Sequence, residues 1–214
     1  MMFRNRLDAA RQLARRLEPW RGQHPLVLAI PRGAVPMGHL IARHLQGDLD
    51  VVLVRKLRAW QMDEVAIGAI DESGWTWLAP ASGWLGADSA WLQQEKSLQL
   101  EVLRQRRRLY TPVRPPVDPQ GRGVIVVDDG LATGATMVAA LHAVRAHAPG
   151  RLVCAVPVAS PDALARVRAL ADECLCLNAP QGFQAVGQYY ASFDAVEDEE
   201  VVRILRRQVP AKPG

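Results

Sequence analysis

The chain has 214 residues, 49% of them hydrophobic, with 26 Lys and Arg against 22 Asp and Glu, a net charge of +4 at pH 7 and a pI near 9.3. That length buries a substantial core, and no apolar run approaches the ~20 residues that a membrane-spanning helix needs. Three cysteines (Cys154, Cys174, Cys176) in strand-like contexts fit reduced core thiols better than a disulfide framework or a zinc site.

Phe3, Leu7, Ala10, Ala14 and Leu17 recur at helical spacing and predict an opening amphipathic helix stopped by Pro19. Met1 to Glu18 is charged and helical in period, with no signal-peptide pattern, so a cytoplasmic protein is expected. Leu26 to Ile30 is a short apolar strand, Pro31 to Pro36 a turn, and Met37 to Leu45 a helix. Val51 to Val54 reads as a second buried strand and 57 to 66 as a loop. Two strand-like runs between Ala66 and Leu78 flank Glu72-Ser73-Gly74, a hairpin pattern. Asp88 can cap a long helix from Ser89 to Tyr110, with Trp91, Leu98, Val102 and Leu109 as its apolar seam. A Pro- and Gly-rich connector spans Pro112 to Gly123, followed by a strand, Val124 to Val127, and a helix with Met137, Leu141 and Val144 inward. Leu152 to Val158 is a strand, and Ser160-Pro161 caps and opens a helix to Ala171. Glu173 to Leu177 is a further strand and Asp198 to Gln208 a terminal helix.

Apolar strands alternating with helices predict an α/β fold: a doubly wound, mostly parallel sheet with a small hood or hairpin appendage. One domain over 1–214 is expected, with a hairpin and long-helix insertion at about 66–110. Ligands bind such sheets off the carboxyl ends of the strands. The polar, Gly-bearing loops 31 to 36, 55 to 66 and 128 to 136 all follow strand ends.

The chemistry concentrates in Val124 to Met137. A buried strand ends by presenting Asp128 and Asp129, and Gly130 to Thr136 then turns into a helix. The first amides of a helix lack partners and its dipole points positive end outward, so such a turn is an anion site. Carboxylates beside a phosphate cradle suit a phosphorylated sugar, whose hydroxyls the acids hold. The lysine of a P-loop and the G-x-G-x-x-G of a dinucleotide site are both absent. Pro31-Arg32-Gly33-Ala34 also suits an anion, since Gly lets backbone approach and Arg adds a fork of donors. Val54-Arg55-Lys56 ends a strand with two cations. The basic run Arg104 to Arg108 reads as a solvated helix face or subunit contact, and nucleic acid is not the expected partner. The histidines show no metal spacing, and Trp75, Trp77, Trp84 and Trp91 read as packing residues.

Val124 to Met137 resembles the signature of the type I phosphoribosyltransferases, which bind 5-phosphoribosyl 1-pyrophosphate (PRPP). Along most of the chain the order of parts is similar to a bacterial subgroup of that family. Gly130 departs from it, standing where an aliphatic residue is usual. The resemblance implies a Mg²⁺-dependent transfer of the phosphoribosyl group to a small-molecule acceptor, usually a nucleobase, with Mg²⁺ arriving on PRPP. It implies Asp128 and Asp129 on the ribose hydroxyls, and Gly130, Ala132, Thr133, Gly134, Ala135 and Thr136 on the 5′-phosphate. Arg32 and Gly33, on a loop where a strained peptide bond is common, would meet pyrophosphate together with Arg55 and Lys56, and the loop through Asp63 and Glu64 would form a lid. Ala132 replaces the Asp that hypoxanthine-guanine enzymes carry before Thr-Gly, which argues against their proton relay here. Phe183 and Val186, in an aromatic-rich segment, are candidates for acceptor contact, with packing over the sheet as the alternative; Val156 to Ser160 could line the same pocket. A homodimer is expected from the family. Two other functions stay open: a PRPP-sensing regulator that binds nucleic acid, and a sugar-phosphate binding module without turnover.

Overall fold

Apolar residues in both phases of a period-two pattern demand a sheet buried on both faces. In the computed structural model, which describes residues 2–59, 62–80 and 90–208 (62–65 by backbone only), that sheet has five parallel strands. β1 (Leu26–Ala29) lies between β2 (Asp48–Val51) and β6 (Gly123–Val127), followed outward by β7 (Arg151–Val158) and β8 (Glu173–Asn178). Val27, Ala29, Ile125, Val127, Val153 and Ala155 enter one core, under α1 (Arg6–Arg16), α2 (Val35–Leu45) and α6 (Asp198–Arg206). Leu26, Leu28, Val124, Val126, Leu152, Cys154 and Val156 enter the other, under α4 (Ala135–Arg145) and α5 (Pro161–Arg168). Asn5 caps α1 by accepting from the Asp8 amide, and Ser160 caps α5 by accepting from the Ala163 amide.

The chain leaves β1 for β2 on one side and returns to β6 on the other. The winding direction reverses there, so a crevice opens off the carboxyl ends of β1 and β6.

Three sequence expectations need correction. The run Val51 to Val54 is not one strand: β2 ends at Val51, and β3 (Val54–Ala59) starts a second, antiparallel sheet with β4 (Met62–Asp71) and β5 (Thr76–Leu78). The true β2 hides behind two acids, which are buried because they are fully engaged. Arg114 and Arg122 hold Asp48 at 3.2 and 2.8 Å, and the Val51 and Val117 amides donate to Asp50 at 2.7 and 2.8 Å.

The stretch 57–66 is not a loop in its described part, since β3 and β4 pair from Val54↔Asp71 to Ala59↔Met62. Register shifts around Arg58 break the alternation that would have marked it as strand. Residues 60–61 and the side chains of Asp63 and Glu64 lie outside the described residues, as do Trp84, Asp88 and Ser89.

The long helix, α3 (Ala90–Tyr110), buries a different seam. Leu92, Glu95, Gln99, Leu103 and Tyr110 face inward, while Leu98 and Leu109 are exposed. Glu95 and Gln99 tolerate burial because they are satisfied: Arg55 Nε donates to Gln99 Oε1 (2.8 Å), and Gln99 Nε2 and the Arg58 amide donate to Glu95 Oε1 (3.0 and 3.2 Å). Polar partners on another element outweigh hydropathy here.

The hairpin turn at Glu72 to Gly74 is present, and Trp75 stacks on His142 of α4 with ring centroids 3.5 Å apart. The basic run is structural in part, since Arg106 pairs with Asp198 and Arg107 with Glu72.

Candidate functional site

A cavity of about 580 Å³ opens at this reversal point and is lined from both sheets, a size ordinary for small-molecule sites. Asp128, Asp129, Gly130, Ala132, Thr133, Gly134 and Thr136 line it after β6, Arg32 and Gly33 after β1, and Arg55 and Lys56 on β3. Ala135 begins α4 as a buried residue outside that lining. Gly134 has φ 77°, a left-handed conformation that turns the chain into α4. Thr133 Oγ1 accepts from the Ala135 amide (3.3 Å), and Thr136 Oγ1 donates to Asp128 Oδ2 (3.4 Å). Ser160 Oγ braces the turn from behind, donating to the Ala132 carbonyl at 2.7 Å, so the end of β7 supports the turn and does not line the cavity.

Arg32 follows a cis peptide after Pro31. Its Nη1 lies 2.8 Å from Glu197 Oε2 and 3.3 Å from Asp198 Oδ2, at the acidic start of α6. An anion entering the cavity therefore competes with these carboxylates for Arg32. Glu197→Gln should tighten inorganic pyrophosphate binding up to about fivefold in a calorimetric titration, the scale of an exposed ion pair. Unchanged or weaker binding would show that the contact does not compete.

Residues 183–196 form a roof. Val186, Phe193, Ala195 and Val196 line the cavity, whereas Phe183 stacks on Tyr189 (5.5 Å) outside the lining. Val186 also accounts for Gly130. A Cβ at position 130 would stand 2.7 and 2.9 Å from the Val186 methyls and 3.0 Å from Val158. The Val186 methyls thus fill the space that a side chain at position 130 would take.

Sequence reasoning missed Arg6. Its Nε donates to Asp129 Oδ2 (2.8 Å), Nη1 donates to the Asp194 carbonyl, and the guanidinium lies 3.7 Å over the Phe193 ring. Nothing local marks it, because it looks like one more charged residue on an amphipathic helix. Arg58 also lines the cavity.

Burial first, then the neighbouring Asp129 charge, push the Asp128 carboxyl up from the ordinary 3.8 to about 8, against the pull of the Asp129 amide, Lys56 and Thr136. Burial raises Asp129 as well, opposed by Arg6 and Lys56. Both carboxyls are thus pushed toward the protonated form, and the two titrate as a pair. Hydroxyl-accepting carboxylates, a turn of backbone amides and a set of cations thus face one another across one cavity.

Comparison with known proteins agrees along the chain. A model of the phosphoribosyl transferase domain matches residues 4–192. Two Mycobacterium tuberculosis proteins named "Putative phosphoribosyl transferase" are 41% identical over 207 residues, covering 96% of this chain and 47% of their own. The chain thus spans about half the length of the curated relatives it matches. The crystal structure of a Thermus thermophilus protein has a TM-score of 0.80 and 46% identity, covering 97% of this chain and 99% of that one.

Proposed function

The chain belongs to the phosphoribosyl transferase family, and from that premise we propose that it transfers the 5-phosphoribosyl group of PRPP to a small-molecule acceptor, with a nucleobase as the first choice, and releases pyrophosphate. One observation carries this reading: the acid pair, the glycine turn, Arg32 after β1 and Arg55 and Lys56 on β3 line a single cavity. In the proposal Asp128 and Asp129 accept from the ribose hydroxyls. The amides of 130–136, with Thr133 and Thr136, hold the 5′-phosphate at the start of α4. Arg32, the Gly33 backbone, Arg55 and Lys56 receive pyrophosphate.

Bond cleavage at C1′ leaves positive charge on the sugar and gathers negative charge on the leaving group. Cations placed at the leaving group therefore favour the transition state over the ground state. Among the described residues no cluster of three or more His, Cys, Asp or Glu could hold a metal by itself. A Mg²⁺ ion fits as a substrate-borne cation that would be ligated mainly by PRPP oxygens and water and would supply charge neutralisation. The regulatory alternative through nucleic acid gains no support, because Arg106 and Arg107 already pair with Asp198 and Glu72.

The test is pyrophosphate release from Mg²⁺ and PRPP across a panel of purine and pyrimidine bases. The proposal expects release that depends on one base or a narrow set. Saturable PRPP binding with no release for any base would overturn the nucleobase reading in favour of another acceptor or a sensor.

A further inference from the structure

The acid pair is covered by two segments far apart in the chain, residues 3–6 and residues 189–194. The Phe3 amide donates to the Tyr189 carbonyl (2.7 Å), Ala191 donates back to Phe3 (2.8 Å), and Ser192 donates to Arg4 (3.0 Å). This short ladder places α1 so that Arg6 reaches Asp129. The guanidinium then spans three parts at once: the Asp129 carboxylate, the Asp194 carbonyl and the Phe193 ring. Tyr190 completes the seat, its hydroxyl donating to the Asp129 carbonyl at 2.6 Å while its ring stacks 4.8 Å from Phe193. Arg6 is nearly buried, at 13% side-chain exposure, so its fork is held in place by what surrounds it.

We propose that Arg6 is a positioning residue of the sugar site, aiming the Asp129 carboxylate into the cavity and favouring its charged form for as long as residues 190–194 are seated over it. The inference rests on the reading of Asp129 as a ribose ligand. Two adjacent buried carboxylates repel, and a hydroxyl-accepting role is strongest with one of them charged. The groups facing Asp129 are Asp128 from the end of β6, Lys56 from β3, Arg6 from α1 and Tyr190 from the roof. Tyr190 keeps its proton, because burial and the nearby carboxylate charge raise it. The positive charge facing Asp129 therefore comes from Lys56 and Arg6, and Arg6 is the one in hydrogen-bond contact. An opposite charge at that range lowers a carboxylate by about 1–3 units. The planar fork also lets Arg6 stack on Phe193 while it donates along its edge, which a lysine cannot reproduce.

The test compares the native protein with Arg6→Gln and Arg6→Lys in calorimetric titrations from pH 5 to 9, using Mg²⁺-PRPP and, separately, inorganic pyrophosphate. Arg6→Gln should weaken PRPP at pH 7 by at least about tenfold and raise the pH at which binding is half-maximal by about one unit. Arg6→Lys restores the charge and should return that midpoint close to the native value. Pyrophosphate affinity should stay native-like in both. Equal PRPP loss in the two variants with an unmoved midpoint would reduce Arg6 to a packing residue. A parallel loss of pyrophosphate would make it a pyrophosphate ligand. Either result overturns the inference and leaves the transferase reading standing. A native protein that binds pyrophosphate but not PRPP would overturn the sugar reading itself, and this inference with it.

Discussion

Ligand-free protein carrying Asp128→Asn is expected to melt about 5 °C above the native chain at pH 8, with the difference fading as the pH falls toward 4. The direction follows from where the proton sits. In the folded protein burial and Asp129 raise Asp128 to about 8, whereas the ordinary carboxyl releases its proton near 3.8. Between those values the folded state binds more protons than the unfolded one, so native stability declines as pH rises through this window. Asn carries no charge and escapes the decline. Full conversion of the shift would give roughly 6 kcal/mol, but neither acid is fully buried, the Asp129 side chain being 17% exposed. The pair also shares its penalty. About 1–2 kcal/mol is the expected remainder, or several degrees for a chain of this size. The gain in stability comes with a loss of chemistry: Asp128→Asn/Asp129→Asn should cut pyrophosphate release by about 10²–10³-fold. Differential scanning fluorimetry across pH and the release assay check the two halves. A pH-independent melting difference would sink the electrostatic account, and undiminished release would sink the ribose assignment.

The opposite sign is expected at the far end of the sheet, where Arg114→Met should destabilise the protein by about 3 kcal/mol and lower its melting temperature by roughly 6–12 °C. Arg114 is 4% exposed and donates to Asp48 Oδ1 and to the Leu49 carbonyl, both at 3.2 Å. Removing the guanidinium leaves a buried carboxylate with Arg122 alone, and removing one member of a buried pair costs more than the pair contributes. Burial by itself would raise Asp48, but Arg122 and Arg114 together bring it below its usual value. Its contribution is therefore present above the ordinary carboxylate value and lost as pH falls through the lowered one. In Arg114→Met the acid limb of the stability curve should begin at a higher pH. Urea unfolding at pH 7 and pH 4 measures both effects, and an unchanged midpoint at pH 7 would show that Arg122 suffices.

What the sequence disclosed, and what it hid, follow one physical line. The strands at 26–29, 123–127 and 151–158 announce themselves because both their faces are apolar, and the turn at 128–136 because its glycine, hydroxyls and acids stand together in the chain. β2 stayed hidden because Asp48 and Asp50 are made tolerable in large part by Arg114, Arg122 and the Val117 amide, 66 to 74 residues away. The seam of α3 was misread for the same reason, its buried Glu95 and Gln99 being satisfied from β3. Arg6 is the extreme case, a helix-surface residue in pattern whose partner lies 123 positions further on. Local periodicity reports solvent and core, and is silent about a polar partner brought in by the fold.

The ladder between Phe3 and residues 189–192 bears on how the protein is made. A ribosome that has delivered the chain as far as Asn178 has produced every strand of the parallel sheet and the whole glycine turn. Phe3 then has nothing to pair with, and Arg6 has no ring or carbonyl to rest on. Sheet and cavity roof thus become complete at different chain lengths, at Asn178 and Asp194. A nascent protein of this kind can collapse around its sheet before it can close over a ligand.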